Sequence, residues 1–68
     1  MNANQFIEKF GREEGAAVAR LAGTNFVYLQ QIAKHHRRPS PALAKQLEEA
    51  SGGRMTREAL RPDIWSAA

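Results

Sequence analysis

The chain is predicted to be all-α, a compact bundle of about five short helices in a single domain spanning residues 1–68. Three observations predict it. Apolar residues recur at helical spacing: Phe6, Ile7 and Phe10, then Val18, Leu21 and Ala22, then Leu29, Ile32 and Ala33, then Leu43, Leu47 and Ala50. Helix-starting residues (Asn2 or Asn4, Asn25, Ser40-Pro41, Thr56) alternate with glycines at 11, 23 and 52–53. Finally, 68 residues allow one small core, of a size that buries only ~60% of the unfolded surface, so dimerisation would help such a domain.

Taken in order, Asn2 or Asn4 caps a first helix whose inner positions are Phe6, Ile7 and Phe10. Gly11 ends or bends it, and Arg12-Glu13-Glu14 form a polar link. The second helix runs from about Glu13 to Ala22, its acids placed where negative charge suits the helix dipole. Its alanines let a neighbouring helix pack close. A tight turn at Ala22-Gly23-Thr24 follows, and Asn25 caps a third helix reaching about Lys34. With Leu29 and Ile32 inward, Val27, Gln31 and Lys34 point outward, with Gln30 at one edge. Ser40 and Pro41 start a fourth helix that runs to about Ser51 and buries Leu43, Leu47 and Ala50, leaving Lys45, Glu48 and Glu49 solvated. Thr56 caps a last short helix that ends at Pro62, or Arg54-Met55-Thr56 opens a β-strand in an α+β alternative. Ile64 and Trp65 pack back over the core or meet a second subunit.

Composition narrows the function. There is no cysteine, hence no disulfide scaffold or thiolate metal site. No apolar run approaches the ~20 residues that span a bilayer, and the N-terminus lacks a secretory pattern, so a cytoplasmic protein with no membrane partner is expected. His35 and His36 are adjacent and therefore diverge, a poor start for a metal site. With no paired carboxylates placeable in a cleft and too little chain to enclose a substrate, neither an enzyme nor a cofactor is expected.

Net charge is +3, but its distribution says more. The acids are Glu8, Glu13, Glu14, Glu48, Glu49, Glu58 and Asp63. Between Gly15 and Leu47 there is none, while Arg20, Lys34, Arg37, Arg38 and Lys45 are basic. A basic centre between acidic ends is the footprint of a polyanion-binding face.

An ordered set of residues carries a resemblance: Val18-Ala19, Ala22-Gly23-Thr24, Tyr28-Leu29, Ile32 and Arg37-Arg38-Pro39-Ser40-Pro41, continuing through Gly52-Gly53 and Thr56 to Asp63. The chain resembles the helix-turn-helix of phage Cro and repressor-type DNA-binding proteins, including small YdaS-like regulators. The resemblance implies a transcriptional regulator, Cro-like and repressing, that reads double-stranded DNA as a homodimer on a nearly palindromic operator. It places base contacts at Phe26, Val27 and Gln31, with Gln30 beside them, and Gln suits adenine in the major groove. Phe26 stands where a polar residue is common, so it either reads a base or folds back onto the core. Backbone contacts are expected from Asn25, Tyr28, Lys34, His36, Arg37 and Arg38. In the family a polar residue near the start of the second helix touches a phosphate; Gly15 and Ala16 match it here, leaving only backbone amides for that contact. The family has Gly or Asn at the end of the third helix; Lys34-His35 takes that place, and His tolerates a left-handed backbone. The competing reading is a helical protein-interaction module, such as a toxin-binding antitoxin, using Phe26, Val27 and Trp65.

Overall fold

In the computed structural model, which describes residues 1–65, local capping chemistry sets the elements. They are α1 (Ala3–Leu21), α2 (Phe26–Ala33), α3 (Pro41–Ala50) and α4 (Arg57–Leu60), and the described residues contain no strand. The α+β alternative for the C-terminal part is therefore set aside. The Asn2 side chain accepts from the Gln5 amide at 2.8 Å, and the Asn2 amide donates to Gln5 Oε1 at 2.9 Å, closing a capping box. Asn25, Ser40 and Thr56 each accept from the amide three residues on, at 2.8, 3.1 and 3.2 Å.

Four helices stand where about five were expected, because α1 spans the first two across a kink at Gly11, where the sequence places an end or a bend. Gly11 alone leaves helical geometry, at φ 90° and ψ 175°, a region that a side chain would disfavour. Arg12-Glu13-Glu14, expected as a link, are helical. The bend is braced from outside. Arg54 lies over the rings of Phe6 and Phe10, 5.1 and 4.7 Å from their centroids, and its Nη1 pairs with Glu14 at 2.9 Å. Those two rings are themselves 4.9 Å apart.

α1, α2 and α3 all end in the same way, with a left-handed residue and two reverse hydrogen bonds, the Schellman pattern, and after α3 Gly53 also has positive φ. The left-handed residues are Gly23, His35 and Gly52, and His35 (φ 62°) is the one non-glycine among the described residues. At the end of α2, the His36 amide donates to Gln31 O at 2.8 Å and the His35 amide to Ile32 O at 3.1 Å.

The core gathers Ala3, Phe6, Val18, Ala19, Ala22, Leu29, Ile32, Ala44, Leu47, Met55 and Leu60. Three expectations are corrected here. Leu21 is not an inner residue: it is 76% exposed, and Ala19 takes the buried place. In α3, Ala44 rather than Leu43 packs deepest, Leu43 and Ala50 being half-buried. Glu48 is not simply solvated, since its Oε1 accepts from both the amide and Nε of Arg57, each at 2.9 Å. That carboxylate thus satisfies an amide at the start of α4 while pairing with the same residue's side chain. Met55, in the link to α4, is fully buried; its amide donates to the buried Ser51 hydroxyl at 2.9 Å. Trp65 packs half-buried against the core, with Lys45 and Arg57 5.9 and 5.6 Å from its ring.

Candidate nucleic-acid interface

The second half of α1, the turn at 22–25 and α2 form the pair of helices on which the candidate site rests. Their close approach depends on residue size. Gly15 is buried, and a Cβ there would stand 2.9 Å from Cε1 of Phe26. Phe26 is turned back over α1, half-buried and packed on the core, with the Arg12 guanidinium 5.3 Å from its ring. The ring of Phe26 thus lies in packing contact with α1 and the core. Gly15 is buried and Ala16 half-buried.

Val27 stands out from α2, 63% exposed. Gln30 and Gln31 are half-buried at the stem, and Asn25 and Lys34 are exposed at the two ends of the helix. The Asn25 carbonyl oxygen is taken by the Tyr28 amide, so its NH2 group is the part left for a phosphate. Tyr28 is half-buried, and the Arg37 guanidinium lies 5.6 Å from its ring centre.

Residues 34–38 then form an exposed basic loop. Its geometry follows from the helix end. The His36 and Arg37 amides both donate back to Gln31 O, at 2.8 and 3.2 Å. They are spent on closing α2, and around them the side chains of Lys34, His36, Arg37 and Arg38 are exposed. His35, holding the left-handed turn, is part of the same exposed run.

The fold also brings an acid to this loop, which the linear charge pattern hides. Asp63 Oδ2 lies 3.5 Å from Arg38 Nη1. Its carboxylate is gripped from the other side by Arg61, Nε to Oδ1 at 2.9 Å and Nη2 to Oδ2 at 2.7 Å. The remaining arm, Arg61 Nη1, donates to Pro39 O at 2.7 Å. Hydrogen bonding from Arg61 is the main reason the Asp63 carboxyl is held down at about 2. Arg61 is raised by the same pairing. Neither residue was assigned a role by sequence reasoning. The available signal was the Arg-x-Asp spacing after Leu60, which lets one guanidinium fork meet one carboxylate.

No three His, Cys, Asp or Glu residues come together to hold a metal ion among the described residues. No described helix is long and apolar enough to cross a membrane. Compared with known proteins, the chain matches no family model, and no curated protein or solved structure resembles it closely enough to register.

Proposed function

We propose that the protein is a sequence-specific regulator of transcription, a repressor that binds double-stranded DNA as a homodimer in the cytoplasm. One observation carries this reading. α2 presents Val27, Gln30 and Gln31 beside Asn25 at its start, and the exposed run Lys34–Arg38 follows directly at its end. Groups suited to base edges are thereby bracketed by groups suited to phosphates, which is the division of labour that major-groove recognition needs. Val27 meets a thymine methyl, the two glutamines pair with base edges, and Lys34, His36, Arg37 and Arg38 hold the backbone. Asn25 and Tyr28 complete the phosphate contacts. The resemblance to Cro and repressor-type regulators, with their YdaS-like relatives, supports the same assignment. Repression follows from occupying the operator, with no chemistry and no cofactor.

The test is a mobility shift with random duplex at low salt, followed by selection of bound sequences. A shift that salt weakens, and a selected site with two-fold symmetry, are expected. No shift at low salt overturns the reading.

A second reading rests on a separate observation: Leu21 and Val27 are large apolar side chains left mostly in solvent, and Ile64 is 42% exposed. They suit a protein partner, such as the toxin of a toxin–antitoxin pair. A chain that ignores duplex DNA at low salt favours this alternative.

A further inference from the structure

The loop that grips phosphate in the proposed reading is tied to α2 at its start by the amides of residues 34–37, and the last turn of the chain holds its far end. Pro39 is fully buried just past the basic run, so its carbonyl needs an internal donor. Arg61 provides it across 22 positions of sequence, at 2.7 Å. A guanidinium is planar, so fixing two of its arms fixes the third. Asp63 does this: it takes Nε and Nη2 together at 2.9 and 2.7 Å, which aims Nη1 at Pro39 O. The Arg61 side chain is only 14% exposed. The outer oxygen of Asp63 reaches Arg38 as well, at 3.5 Å. Arg38 itself stays 70% exposed, with donors to spare for a phosphate.

We propose that Arg61 and Asp63 are positioning residues for DNA binding, a clamp that sets the path of the 37–39 loop and so the places of Arg37 and Arg38. The clamp rests on the DNA-binding reading above and deepens it. Neither residue reads a base. Asp63 is an acid beside a polyanion site, and by charge alone it opposes binding.

That opposition makes the decisive test. Asp63→Asn keeps the side-chain shape but raises the formal net charge from +3 by one. Simple electrostatics then predicts tighter DNA binding. The clamp predicts the reverse, because one of the two accepting oxygens becomes an NH2 donor, which cannot pair with a guanidinium N–H. We expect Asp63→Asn to weaken selected and random duplex alike by about tenfold, the size of one lost charge-assisted contact, and to lower the salt slope. Arg61→Lys, which keeps the charge but not the fork, should do the same. Titrations are made well below the melting temperature of each variant, so that a purely structural role leaves affinity and slope unchanged. Should Arg61→Lys fail to fold, Asp63→Asn decides alone, Asp63 itself being exposed. Tighter or unchanged binding by Asp63→Asn overturns the clamp while leaving the DNA reading intact. A wild-type chain that binds no duplex overturns both.

Discussion

Cε1 of Phe26 lies 2.9 Å from where a Cβ on Gly15 would stand, and Cδ1 lies at 3.4 Å. The glycine is therefore a packing residue inside a helix, in a place where alanine would ordinarily raise helix stability by ~1 kcal/mol. Here overpacking opposes that gain. Ile7 Cγ1 lies 3.6 Å from the same point and Arg12 covers the ring, so Phe26 has little freedom to yield. Gly15→Ala is expected to destabilise by about 1–2 kcal/mol net, within the usual range for added methyls in packed sites. The pair Gly15→Ala with Phe26→Leu should recover most of it. Thermal melting decides, and a Gly15→Ala protein that melts above wild type would show that the ring moves aside at no cost.

Trp65 closes one edge of the core without being fully buried. Full loss of a buried aromatic costs ~3–5 kcal/mol, and a half-buried one less. Trp65→Ala is expected to lower stability by about 2 kcal/mol, to the same extent at every protein concentration. A melting temperature unchanged at low concentration, together with weaker self-association, would instead assign Trp65 to a subunit interface.

Reading and gripping act on different parts of the binding energy. Gln31→Ala should cost about 1–3 kcal/mol on the best site, relax preference there and leave the salt slope alone. Arg38→Ala should weaken every duplex about equally and reduce the slope by about 1 per subunit. Its contact with Asp63 is exposed, so its folding stability should change little. Titrations on selected and random duplex at several salt concentrations separate the two. Equal weakening of both duplexes by Gln31→Ala would remove α2 from the role of reader.

Two acids tie stability to pH. Asp63 is held at about 2, against an ordinary 3.8, chiefly by hydrogen bonds from Arg61. Glu48 is lowered from 4.5, chiefly by the side chain of Arg57. Because both folded values lie below the unfolded ones, their contribution is complete above the unfolded values and fades as acid protonates the folded carboxyls. The melting temperature should therefore fall on acidification from about pH 5 towards pH 2. Glu48→Gln with Asp63→Asn should flatten that fall. An equally steep fall in the double variant would place the acid sensitivity in other carboxylates.

Much of the architecture is legible in the chain itself. Caps at Asn25, Ser40 and Thr56, and reversals at Gly23, Gly52 and His35, depend on hydrogen bonds and backbone preferences within a few residues. Such signals act locally, so the positions of the helices follow from them. The outward place of Val27 and the exposed basic run after α2 were legible for the same reason.

Tertiary packing decided the rest. Around Leu21 the alanines at 16, 17, 19 and 22 leave more than one side of α1 apolar, so periodicity cannot say which side faces inward. Packing against the rest of the fold buries Val18, Ala19 and Ala22 and leaves Leu21 outside. Met55 shows no helical spacing, yet the Ser51 hydroxyl draws its backbone in and buries it. Phe26 is committed to packing by a missing Cβ eleven residues earlier, and Asp63 joins a basic loop through an arginine fork that also reaches Pro39. These outcomes depend on which surfaces meet in three dimensions, and residue spacing along one chain carries no record of that.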